Sequence, residues 1–361
     1  MMRRVLEANA LGPVHLLPTA TRLPRAVVHD SMKSHWTGPP LYNPASSSPH
    51  EVTMNILRHE ADGEPFFTKE TLQELQAQLL RPLEEGEKYV AIGIDGTPVE
   101  FEPATGQVNE HVGHQFVNGP VGLVYHSWGV FVGHAAEKKY LDAASYCRIV
   151  PMHVQQWVHS ETDEIFVLPP RPVEGPSRLL RSAVFAWEPS ATWAAIREVL
   201  VAAREKHTIT NFVGFACGPM FGASPSATQH ALVWMIIRLF RRDGKGESDE
   251  PLACSLQDPI YDAQEKRLLN LLKMTVVEDP QAILDVEDSS IVFTCNSDVP
   301  VKEIVLDIAR PAIMIIDDIT RINSIYDPVT NRVLKAIGDS YEMFDFPDHE
   351  AFGKMAIYVR K

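Results

Sequence analysis

Residues Ile209 to Arg242 constrain this chain more than any other stretch, because they read as strand, small-residue loop and helix in immediate succession. Thr208 to Phe215 is an apolar, β-branched run of strand length. Ala216 to Ser226 is a loop rich in Gly, Pro and Ser, and Ala227 to Arg242 spaces Leu232, Ile236 and Leu239 as a helix does. This is the first half of a βαβ unit. Its loop lies at the carboxyl end of the strand and opens on a helix N-terminus, whose unpaired N–H groups and positive dipole end favour an anionic or carbonyl-bearing ligand. A functional site is expected there.

The pattern repeats downstream. Leu252 to Leu256, Met274 to Val277, Ile291 to Thr294 and Ala312 to Ile316 read as strands, and Glu265 to Leu272 and Val301 to Ala309 as helices. Continuous apolar strands alternating with amphipathic helices predict an α/β, Rossmann-like parallel sheet with helices on both faces, over residues 181–361. Residues 51–180 read as an N-terminal α+β elaboration. In it Thr68 caps a helix bearing Leu72, Leu75, Leu79 and Leu80, and Tyr89 to Ile94 turns at Asp95-Gly96 into Val99 to Phe101. Val121 to Val132 is a further strand-like run. Ala183 to Trp187 is expected as a strand and Ala191 to Glu205 as a helix leading into the central strand. Residues 1–50, rich in Pro, Ser and His, read as an irregular arm in which Trp36 to Tyr42 is aromatic enough to dock.

Composition removes several classes of function. With 361 residues, 45% hydrophobic and 22% charged, the chain can bury one large core or two smaller ones. Cys147, Cys217, Cys254 and Cys295 stand far apart, without the spacing of a disulfide framework or a zinc site. No apolar run approaches membrane-spanning length and the charged Met1 to Ala10 does not suit a signal peptide, so a cytoplasmic or nuclear location and no membrane contact are expected. A net charge of −14 argues against a surface dedicated to nucleic acid, although Arg238, Arg241, Arg242 and Lys245, or Lys138, Lys139 and Arg148, can form local basic patches.

Ligands of such sheets sit beyond the strand ends. Those ends carry Cys217, Ser224 and Ser226, then Asp258 and Tyr261, then Asn296, Ser297 and Asp298, then Asp317 and Asp318. Gly214, Gly218 and Gly222 do not fit a dinucleotide fingerprint, and no Gly-Lys-Ser/Thr follows the strand. A nucleophile at the helix N-terminus is the chemical alternative, Ser224 before Pro225 first and Cys217 second; against it, Ser226 can be a plain N-cap and Cys217 a small core residue. His230 can serve as base or simply pack. Asp258 suits a ribose hydroxyl or an ammonium, or a turn before Pro259. Asp317 and Asp318, adjacent carboxylates after a buried strand, suit a guanidinium or a metal. His111 and His114 lack a metal-ligand pattern, so no metal and no cofactor are expected.

Asn211 to Gly218, Gln229-His230-Ala231-Leu232 and Gln257-Asp258-Pro259-Ile260-Tyr261 together resemble the Sensitivity-to-Red-light-Reduced-like domain family over roughly residues 190 to 320. That resemblance implies a Rossmann-like regulatory protein tied to clock, light and haem-related processes. The chain is also similar to fungal arginine-containing cyclodipeptide synthases, through Ser224-Pro225 and Asp317-Asp318-Ile319-Thr320-Arg321, where Arg stands in place of the family's Glu. This second likeness implies a synthase drawing on arginyl-tRNA, with Ser224 as acyl acceptor, Tyr261 or Glu265 handling protons, and Asp317 and Asp318 reading the guanidinium or amine. Cys217, Asp258, Asn296 and Asp298, placed at the strand ends by topology, are expected to bind substrate as well. Three readings stand: that transferase, a non-catalytic domain binding a small molecule at the strand ends, and an interaction protein with an acidic surface.

Overall fold

The computed structural model describes residues 54, 57–58, 61, 63–94, 96, 98–111, 114–131, 147–158, 174–220, 225–241 and 252–361. The arm of residues 1–50 with its Trp36 to Tyr42 segment, Ser224, and the basic residues Lys138, Lys139, Arg242 and Lys245 lie outside these.

Strands form where apolar runs are buried on both sides. β6 (Asn211–Phe215), β7 (Ala253–Gln257), β8 (Thr275–Val276), β9 (Ser290–Thr294) and β10 (Ile313–Asp317) run parallel, within one to three residues of the expected bounds. Two further strands, β11 (Tyr341–Asp345) and β12 (Met355–Arg360), complete a seven-stranded sheet in the order β11-β12-β10-β9-β6-β7-β8. β12 is antiparallel to both neighbours, so the sheet is mostly rather than wholly parallel. From β6 the chain winds outward through β7 and β8, then returns to β9 on the other side. The strand order therefore reverses between β6 and β9, and the carboxyl ends of these two strands flank the crevice where such sheets take ligands.

Two cores sandwich the sheet. Phe212, Leu256, Phe293 and Ile315 face helices α2 (Glu174–Trp187), α3 (Ala191–Lys206), α4 (Ser226–Arg241) and α5 (Ala263–Leu271). Val213, Phe215, Val292 and Met314 face α6 (Gln281–Leu284), α7 (Val301–Ile308) and α8 (Asn331–Ser340). The expected strand at Ala183 to Trp187 is instead the last turns of α2. Leu180, Val184 and Trp187 are buried at helical spacing, while Phe185 between them is 82% exposed.

The N-terminal elements lie on the second face. They are α1 (Lys69–Leu80), the hairpin β1 (Tyr89–Ile92) with β2 (Pro98–Phe101), and the antiparallel sheet β3 (Val108–His111), β4 (His114–Tyr125), β5 (Ile149–Trp157). Thr68 caps α1, and Leu72 and Leu75 are buried as expected, but Leu80 is exposed. Phe67, Leu72, Phe101 and Ile149 share one core with Val213 and Ile316 of the large sheet. Polar ties reinforce the seam: Phe66 and Phe67 N–H donate to Asp307, and the Tyr125 hydroxyl donates to Asp279 at 2.7 Å. Among the described residues, no helix is long and apolar enough to cross a membrane.

Candidate functional site

The segment after β6 is built by backbone conformations that side chains normally avoid. Ala216 (φ 52°) and Gly218 (φ 70°) both lie in the left-handed region. A Cβ at Gly218 would come 2.5 Å from Ser226 Oγ, so only glycine lets the loop pass so close to the start of α4. Two carboxylates hold the loop, one from the β7–α5 connection and one from the first turn of α5: Asp258 Oδ2 accepts the Gly218 N–H at 2.8 Å, and Glu265 Oε1 accepts the Met220 N–H. Glu265 also closes the capping box of α5 with Asp262. Fully buried and bonded through both oxygens, Glu265 positions the loop.

Behind the loop, His230 is 0% exposed. Its Nδ1 lies 2.7 Å from the Ser226 carbonyl, which can only accept, so Nδ1 carries the proton and Nε2 accepts from the Tyr261 hydroxyl at 2.7 Å. Burial pushes the His230 pKa down to about 4 and the Tyr261 phenol well above its ordinary value, so both are neutral near pH 7. Cys217 neighbours the phenol; burial and the nearby Asp258 charge raise its thiol well above the ordinary range, which leaves it a poor nucleophile. Gln229 donates from Nε2 to the Ala351 carbonyl at 2.8 Å and to Cys295 Sγ at 3.4 Å, tying α4 to the segment before β12.

On the other side of the switch point, Asn296 is again left-handed (φ 55°) and exposed, as is Asp298. Ser297 is turned inward, accepting the Val299 N–H at 3.0 Å. Burial, and to a lesser degree the charge of Asp298, raise the pKa of Asp258 across the gap. Asn296 and Asp298 thus form the exposed polar rim, Asp258 is half-buried with its two oxygens on the Gly218 and Ile260 N–H groups, and Cys217, Tyr261 and Glu265 face inward.

The adjacent carboxylates after β10 are engaged by the chain's own cations. Asp317, 1% exposed, meets Lys302 Nζ at 3.4 Å through Oδ2, and its Oδ1 has no hydrogen-bond partner. Lys302, itself fully buried, also pairs with Asp327 at 2.7 Å, and burial pushes Asp327 up to about 6. Asp318 accepts the Thr320 N–H and hydroxyl and pairs with Arg321 Nε at 3.2 Å. The guanidinium beside Asp318 is therefore an internal one, supplied by the residue that replaces the Glu of the synthase pattern. Lys302 and Asp327 carry no local signal, because they meet Asp317 only through long-range folding. Arg148 is likewise no surface cation: it is buried and pairs with Glu303.

Among the described residues, no group of three or more His, Cys, Asp or Glu has the arrangement of a metal site. No curated protein and no solved structure matches the chain. Residues 185–359, running from the last turn of α2 almost to the end of β12 and so spanning the seven-stranded sheet, match the family model described as the SRR1 domain.

Proposed function

We propose that the protein binds a small hydroxyl- or amine-bearing molecule at the β6/β9 switch point and acts as a ligand-responsive regulatory protein. The observation that carries this reading is the pair of left-handed non-glycine residues, Ala216 and Asn296, at the ends of the two strands flanking the crevice. Each costs on the order of 1 kcal/mol or more, and such strain clusters where a ligand is held. Burial, with a smaller push from the charge of Asp298, raises the proton affinity of Asp258, so a further anion is disfavoured there, while a ribose hydroxyl or an ammonium suits the carboxylates. A nucleoside fits this chemistry better than a nucleotide.

The arginyl-tRNA-dependent synthase is the second reading, supported by the Ser224-Pro225 sequence immediately before α4. It asks of Tyr261, Glu265, Asp317 and Asp318 roles that compete with the internal bonds they make. One experiment separates the two. The full chain is screened by thermal shift against adenosine, AMP, arginine and agmatine, and the expressing host is searched for a new arginine-containing diketopiperazine by mass spectrometry. The regulatory reading expects stabilisation by adenosine or an amine, lost in Asp298→Ala, and no new product. A diketopiperazine lost in Ser224→Ala establishes the synthase instead.

A further inference from the structure

A cavity remote from the strand ends of the large sheet lies among the N-terminal elements, between the start of α1, the end of β1 and the start of β5. Its volume is about 230 Å³, and it is lined by Phe66, Thr68, Thr71, Ile92, Ile149 and Arg148 among others. That is room for roughly seven waters, or a ligand of about ten heavy atoms.

Arg148 is the unusual member. Its guanidinium is 4.6 Å from the ring centroids of both Phe66 and Phe67 and 5.5 Å from that of Phe131. Nη2 donates to Glu303 at 3.2 Å, but Nε and Nη1 are buried without any hydrogen-bond partner. A buried N–H left unpaired costs about 1–3 kcal/mol, and here two nitrogens of one charged group are in that condition, in a residue that lines the cavity. The surrounding charges balance: Arg148 pairs with Glu303, and Arg332 with Asp307. The start of α1, twelve residues long and capped by Thr68, adds its positive dipole end to the same wall.

We infer that this cavity is a binding site for a small carboxylic acid, with the carboxylate against Arg148 and the Thr68 and Thr71 hydroxyls and an apolar body against Phe66, Ile92 and Ile149. A carboxylate supplies the acceptors that the guanidinium lacks, and the isoleucine and phenylalanine lining leaves the body nothing polar to satisfy. The site is independent of the switch point, since no lining residue belongs to the β6 or β9 ends.

The test uses the full chain and three probes: benzoate, hexanoate and, as the neutral isostere, benzyl alcohol. Titration calorimetry is run on the wild type, Arg148→Met and Ile92→Trp. Ile92 is partly exposed, so its replacement fills the cavity without disturbing the core. The expected result is saturable binding of benzoate or hexanoate, at least tenfold weaker in Ile92→Trp and in Arg148→Met, with benzyl alcohol bound at least tenfold more weakly than benzoate. Because Arg148→Met can fail to fold, Ile92→Trp and the alcohol each decide the matter alone. Absence of binding by both acids, equal binding of benzoate and benzyl alcohol, or binding unchanged in Ile92→Trp overturns the inference. Asp298→Ala leaves acid binding intact.

Discussion

The Tyr261 hydroxyl and Nε2 of His230 lie 2.7 Å apart in a fully buried contact. It joins the loop after β7 to the first turn of α4, and so brings Gln229-His230-Ala231-Leu232 against Asp258-Pro259-Ile260-Tyr261. Both motifs brace the loop after β6: Asp258 from its backbone N–H side, His230 and Tyr261 from beneath. Tyr261→Phe removes the donor and leaves Nε2 buried and unpaired. It is expected to cost about 1–3 kcal/mol in urea denaturation at pH 7. The double variant with His230→Phe should then cost less than the two single changes summed, because both polar partners are gone together.

His230 also sets an acid limit. Its pKa falls from the ordinary 6.5 to about 4 on folding, so the unfolded chain binds the proton more readily. The stability this protects is fully present above about pH 6.5 and is lost as pH falls toward 4, by about 3 kcal/mol in all. Asp279 and Asp327, raised to about 6, act in the opposite sense, since their burial favours the protonated form and stability falls as pH rises from about 4 to 6. Denaturation between pH 4 and 7 should show a smaller loss on acidification in His230→Phe than in the wild type. An unchanged profile would remove His230 from the account.

The buried triad of Lys302, Asp317 and Asp327 should be costly to break and cheap to remove. Lys302→Met leaves two carboxylates without their cation, and is expected to lower stability by about 3–5 kcal/mol in chemical denaturation. Adding Asp317→Asn and Asp327→Asn should restore most of that loss. By contrast Arg321, whose side chain is 59% exposed, should cost no more than about 1 kcal/mol when changed to Ala.

Strain at Ala216 gives a prediction of the opposite sign. Ala216→Gly relieves the left-handed backbone, although glycine also loosens the unfolded chain, so stability should hold or rise by up to about 1 kcal/mol. Gly218→Ala should destabilise by about 1–3 kcal/mol, since its backbone is left-handed and the new Cβ would meet Ser226. Circular dichroism melts of the two variants check the contrast.

The parallel strands were legible because runs such as Ile313 to Ile316 are apolar without interruption, which only a strand buried on both faces tolerates. Ala183 to Trp187 was not: five apolar residues fit either period, and the helix shows only when Leu180 is counted with them. The positions of the site residues at strand ends followed from topology, but their orientation did not. Tyr261, Glu265 and Asp317 face inward through partners that lie 15 to 45 residues away. A lysine on an amphipathic helix ordinarily reads as a solvated one, so the burial of Lys302 had no sequence signal.

Hydrogen exchange of the full chain, with and without the stabilising small molecule from the thermal-shift panel, tests the switch-point site most directly. The prediction is slowed exchange in peptides covering residues 214–220 and 294–300 together, abolished in Asp298→Ala. Protection confined to other segments, or no protection with any molecule of the panel, would contradict a ligand site between β6 and β9.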